Sequence, residues 1–192
     1  PNTYKVIYMV NGEKVHEDSF DYSAAVTAWA GYTAPEGYTF DGWKCSDATC
    51  PTCTAATPTY HIGPYTMPEK NMEMYAQWTP LYYTVTVKVN PDQITYTGLD
   101  GFTWVDGALQ KQVPYGTTIN ASFTAKTGCV LDQIQIGQTD GDPDEDGAIT
   151  HVVADHVTIQ VKSFKSAYTV TFVNEDGTVL QSGQVEFGAM PA

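Results

Sequence analysis

Positive charge is scarce in this chain: nine Lys and Arg residues stand against 22 Asp and Glu, a formal net charge of -13 at pH 7. That balance repels phosphate backbones and anionic headgroups, so neither nucleic acid nor a membrane surface is expected as a partner. Its ordinary consequence is solubility. Long apolar runs are missing too, and none approaches the roughly 20 residues that cross a bilayer. No membrane insertion is therefore expected in this segment. No signal peptide or anchoring motif is seen, so the targeting and anchoring segments of an exported protein are expected outside it. Nor is there a Ser or Cys nucleophile motif or a phosphate-cradling glycine loop. The acids are numerous enough to pair by chance, and His16, His61, His151 and His156 fall on strand or loop positions. The chain is not expected to be an enzyme.

Aromatic and β-branched residues are plentiful. Thirteen Tyr, seven Phe and four Trp accompany many Val and Thr, the side chains that fit a pleated, half-buried surface. Three segments open alike: Tyr4 to Tyr8, Tyr83 to Val87 and Tyr168 to Phe172. Each alternates apolar and polar residues in the manner of a strand, and the starts lie about 80 residues apart. This predicts tandem small units over 1–80, 81–165 and a partial one over 166–192. In the first unit Asn11-Gly12 marks a hairpin turn into a strand from Glu13 to Phe20. Ser23 to Ala30 is the one stretch that reads as a short helix, with Ser23 as N-cap, a loop being the alternative. Met72, Met74, Ala76 and Trp78 alternate in a closing strand, as do Val157, Ile159 and Val161 in the second unit. Lacking such a strand, the partial unit is expected to be partly disordered or to borrow an edge.

Gly37-Tyr38-Thr39-Phe40-Asp41-Gly42-Trp43, then Met67-Pro68, then Met74-Tyr75-Ala76-Gln77-Trp78 resembles the Listeria–Bacteroides repeat, the family of the internalin B-repeat. Pro114-Tyr115-Gly116-Thr117-Thr118, Gly128 and Val157-Thr158-Ile159 resemble a divergent branch of it, and Val170 to Gly188 the first half of a standard repeat. The resemblance implies a mainly β fold, α+β at most, built of tandem β-grasp-like modules. It further implies a non-catalytic, adhesion-related spacer segment in a bacterial cell-surface or secreted protein, located outside the cell or on its wall, with neighbouring repeats as partners. The alternative is a glycan- or host-protein-binding module attached to a larger surface protein or secreted enzyme.

Three departures from the family pattern carry the candidate chemistry. Cys45, Cys50 and Cys53, followed by His61, form a C-x4-C-x2-C…H array. That array is conceivable as a zinc site, although a disulfide is the simpler outcome in an oxidising compartment. Asp142, Asp144 and Asp146 precede Gly147 as in the first half of a calcium loop, but the twelfth position holds Val153 rather than an acid, so a solvated acidic loop is the competing reading. Cys129 is expected to pack as a small buried hydrophobe. No other cofactor is implied. For ligand contact, Phe102 and Trp104 are the candidates, because Gly98-Leu99-Asp100-Gly101 reads as an exposed hairpin tip carrying them outward; core packing is the default for the other aromatics.

Overall fold

The computed structural model describes residues 2–45, 65–141 and 147–191. By its contacts the chain divides into two units, Pro1–Leu81 and Tyr82–Ala192. Strands and turns make up both, and among the described residues there is no helix.

In the first unit the alternation Tyr4, Val6, Tyr8 places one face of β1 (Thr3–Val10) inward, with Val6 and Tyr8 fully buried. Asn11 and Gly12, both at positive φ, turn the chain into β2 (Glu13–Asp21), antiparallel to β1. The two-residue β3 (Ala25–Val26) follows, then β4 (Tyr38–Cys45), the two-residue β5 (Tyr65–Thr66) and β6 (Met72–Pro80). The main sheet runs β2-β1-β6-β4, and β3 pairs with β5. The closing strand β6 lies parallel to the opening one, Val6 opposite Met72 through Met9 opposite Tyr75. A helix over Ser23–Ala30 does not form. Ser23 adopts φ 68°, which no right-handed helix or its cap accepts, and donates its N–H to the Met67 carbonyl at 3.0 Å.

A bulge explains how Phe40 and Trp43, three apart, both turn inward. Phe40 pairs with Trp78 and Gly42 with Gln77, so Asp41 is the extra residue and Gly42 takes φ 128°. One inserted residue flips every later side chain to the other face. Trp43 and Cys45 thereby enter the core with Val6, Tyr8, Val26, Met67, Met72 and Met74.

The second unit repeats this plan with additions. Its strands are β7 (Tyr82–Lys88), β8 (Ile94–Thr97), β9 (Thr103–Val105), β10 (Ala108–Pro114), β11 (Thr118–Ala125), β12 (Cys129–Ile136), β13 (Thr139–Gly141), β14 (Ala148–Val152) and β15 (Val157–Lys165). The six-stranded sheet β13-β12-β15-β7-β10-β9 contains β10-β7-β15-β12, the same order as β2-β1-β6-β4. Here too the closing strand is parallel to the opening one, Val85 opposite Val157. A second sheet, β14-β11-β8, enlarges what β3 and β5 sketch in the first unit. Ile119, Ala121 and Phe123 on β11 face Val85, Val87, Ile134, Ile159 and Val161 in one core. Each such branched or aromatic side chain, once buried, contributes roughly 1.5–3 kcal/mol.

The correspondence reaches single hydrogen bonds. Gly116 N–H donates to the Val153 carbonyl as Ser23 does to Met67, and Val153 N–H returns to the Thr117 carbonyl as Met67 does to Ala24, both at 2.9 Å. Leu81 N–H reaches the Gly37 carbonyl and Ser166 N–H the Gly128 carbonyl, each at 2.8 Å. The bulge recurs as well, with Asp132 the extra residue between Leu131 and Gln133.

Within the second unit's residue range lie β16 (Ala167–Val173) and β17 (Val179–Glu186), a two-stranded antiparallel sheet. The hairpin is formed, and among the described residues its strands pair only with each other. Its register copies β1 and β2, including the irregularity after the sixth matching residue, Tyr8 in one and Phe172 in the other. The turn Asn174 to Thr178 closes it locally, with Asn174 N–H donating to Thr178 and Gly177 N–H to Asn174.

Candidate functional site

The densest side-chain constellation is aromatic and belongs to the first unit. Tyr8 lies under Trp43, ring centroids 4.8 Å apart and edge to face. Trp29, from the irregular stretch after β3, donates its backbone N–H to the Tyr8 hydroxyl at 3.0 Å and accepts the Trp43 Nε1–H on its carbonyl at 2.8 Å. Burial pushes the Tyr8 hydroxyl above its ordinary pKa, with the Asp18 carboxylate adding to the same direction against the Trp29 hydrogen bond. His16 stacks on the Trp29 indole at 4.4 Å and places Nε2 3.0 Å from Asp18 Oδ1. A Cβ on Gly31 would lie 2.5 Å from the Trp29 Nε1, so this glycine lets the indole fold back over the chain. His16 lies on the edge strand β2 as one end of an aromatic row, and the exposed His156 accepts the Thr84 N–H on Nδ1 at 2.9 Å. The His16 ring packs on Trp29, and the His156 ring holds the Thr84 backbone.

On the outer surface of β1 and β2, Glu17 receives Lys5 at 2.6 Å and Lys14 at 3.1 Å. These two ammonium groups hold its carboxyl below the ordinary range.

Residues 4–77 match the family model described as the Listeria-Bacteroides repeat domain, a span that runs from the first residue of the aromatic alternation on β1 almost to the end of β6. This segment is a Listeria–Bacteroides repeat domain. Repeats of the family are typical of bacterial surface proteins and are generally non-catalytic. No curated protein matches the chain.

In the Listeria–Bacteroides repeat, then, Gly37 to Trp43 is the bulged strand that delivers Trp43, and Met67 is the buried residue bonded to the Ser23–Ala24 turn. Cys45 ends that strand, buried opposite Met74. Cys50, Cys53 and His61 lie outside the described residues, as do Asp142, Asp144 and Asp146 beyond the repeat. Among the described residues no three His, Cys, Asp or Glu side chains come together as metal ligands. Cys129 is half-buried rather than buried, because it sits at the first position of β12 opposite Lys165.

Beyond the repeat, the segment Gly98 to Gly101 is not a hairpin tip, since it joins β8 and β9, which belong to different sheets. Leu99 is buried in the core, and a Cβ on Gly98 would stand 2.0 Å from the Asn120 carbonyl oxygen. Phe102 is half-buried against that core with the Lys111 ammonium 5.7 Å above its ring. The real tip is Asp106-Gly107, at φ 49° and 80°, a pair of positive angles that suits a two-residue hairpin turn. Its Asp-Gly signature was present in the sequence. Beside it, on the outermost strand β9, Trp104 is 46% exposed and Val105 41%. An open groove of about 440 Å³ is lined by Lys88, Asn90, Asp106, Gln160 and Lys162 among others.

Proposed function

We propose that the chain is a non-catalytic spacer segment of a bacterial cell-surface or secreted protein and that its work is mechanical. The observation that carries this reading is a parallel pairing of opening and closing strands, β1 with β6 in the first unit and β7 with β15 over residues 82–165 of the second. Tension applied through the ends of a unit enters at the start of the first strand and leaves at the far end of its parallel neighbour. The load then runs along the strands, and the evenly spaced bonds between them must yield together instead of one at a time. Filled cores and shallow grooves fit a load-bearing part better than a catalytic one. An adhesion-related setting outside the cell agrees with the family and with the acidic, soluble surface.

Single-molecule pulling tests it. Drawn through residues 1 and 81, the first unit should resist a higher force than when attached at Gly12 and Leu81. The latter pair puts both handles at the same end of β1 and β6 and unzips them. Equal unfolding forces in the two geometries would dismiss the mechanical reading.

Trp104 and Val105 favour a second reading, a module that binds glycan or host protein. The exposed Trp104 indole offers a stacking surface for a sugar ring, and the edge strand β9 an edge for a partner strand. Glycan-array and host-protein binding unchanged by Trp104→Ala would remove it.

A further inference from the structure

One residue, Ser166, separates β15 from β16, and both of its backbone groups are bonded. Its N–H donates to the Gly128 carbonyl and its own carbonyl accepts the Phe187 N–H, each at 2.8 Å. Rotation of the chain at this link would break both bonds, so the connection keeps one conformation for as long as its two partners are held.

Both partners are held. Gly128 lies in the turn between β11 and β12, where the Cys129 N–H bonds to the Lys126 carbonyl at 2.9 Å and the Lys126 N–H to the Gln93 carbonyl at 2.8 Å. The Lys126 ammonium ties the same turn to the Pro91 carbonyl. Phe187 lies in the turn after β17, which copies the corresponding turns of the two units: its N–H reaches Ser166 as that of Tyr22 reaches Asn2, and Ala189 N–H reaches Glu186 as Ala24 does Asp21 and Thr117 does Pro114. Gly188, at φ 79°, there occupies the place of Ser23 and Gly116.

A side chain completes the link. The Phe187 ring lies directly on Gly128, where a Cβ would overlap three of its carbons. Gly128 sits at φ 76°, so the missing side chain both permits the backbone angle and opens a seat for the ring. The ring gains close contact with the backbone, and any tilt of the hairpin that lifts it off forfeits that contact.

We propose that Gly128, Ser166 and Phe187 form a stiff joint, which fixes the β16–β17 hairpin in one orientation against the sheet that contains β12 and β15. The hydrogen bonds set the path of the chain and the seated ring opposes bending about it, so that hairpin and sheet tumble as one body. The joint deepens the spacer reading, on which its purpose rests, because a rigid connection carries load from one repeat into the start of the next. Its test is separate from the pulling comparison on the first unit, so either can fail while the other stands.

The experiment is solution NMR on the full 192-residue chain. In the unaltered chain the Phe187 ring current should move a Gly128 Hα resonance upfield. Residual dipolar couplings of the β16 and β17 amides should fit the alignment tensor defined by β7, β12 and β15. Phe187→Ala should abolish the upfield shift and make the hairpin couplings depart from that tensor. Phe187→Tyr, which keeps a ring, and Leu180→Ala, which removes an exposed side chain from β17, should preserve both. The joint is overturned if the hairpin of the unaltered chain needs an alignment tensor of its own, if no ring-current shift is found at Gly128, or if Phe187→Ala leaves the couplings on the shared tensor. Where Phe187→Ala melts the hairpin, Gly128→Ala takes its place, because it displaces the ring while keeping every hairpin residue; couplings that stay on the shared tensor in that variant overturn the joint equally.

Discussion

Ser23 stands at a backbone position that its structural counterparts fill with glycine, and replacing it should stabilise the first unit. Its φ is 68°, against 79° for both Gly116 and Gly188. An L-residue in this left-handed region is strained by roughly 1–2 kcal/mol, because Cβ crowds the following carbonyl. Ser23 is exposed, so its side chain contributes no core packing that Ser23→Gly would lose. Against the relief stands the greater freedom glycine has in the unfolded chain, about 0.5–1 kcal/mol. The difference is a gain of about 0.5–1 kcal/mol, which for a unit of this size raises the midpoint by about 2–8 °C. The reciprocal change probes the same position. A Cβ on Gly116 meets nothing within 4 Å, so Gly116→Ser should lower the second unit's midpoint through backbone strain alone. Calorimetry of the whole chain reads both, and Ser23→Ala, which keeps the Cβ, should show no gain. A lower or unmoved midpoint for Ser23→Gly would refute the reasoning and the equivalence of the three turns behind it.

Gly98→Ala should destabilise the second unit by more than about 3 kcal/mol, since the new methyl collides with the Asn120 carbonyl. Gly107→Ala, also at positive φ but in open space, should cost about 1 kcal/mol; chemical denaturation of the two variants separates collision from backbone strain. Tyr8→Phe removes the acceptor of the Trp29 N–H and should cost about 1–3 kcal/mol for the stranded donor, measured by urea unfolding of the first unit. The Glu17 carboxyl should titrate below the ordinary glutamate range by NMR, chiefly because Lys5 donates to it and then because Lys14 does. Its depressed value means that its stabilising effect is present above the ordinary glutamate pKa and is lost as pH falls through the depressed one. Lys5→Met should return the titration toward the ordinary range.

The sequence alone determined the strand alternation and the Asn11-Gly12 hairpin, because these are local: period-two patterning and turn residues act over a few neighbours. The family motif was also legible, since Gly37 to Trp43 and Met74 to Trp78 carry it in order. Ser23 shows where that reading stopped. Its N-cap chemistry is genuine, but the bond to Met67, 44 residues along the chain, set its backbone angle. Phe102 shows the same limit: two glycines looked like a free tip until Leu99 had a core to enter and Gly98 a carbonyl to approach. The parallel pairing of first and last strands and the second sheet around β11 join residues far apart in the chain. Only the tertiary structure decided them, since which edge meets which strand is settled by burying a whole face at once and no short window of residues contains that face.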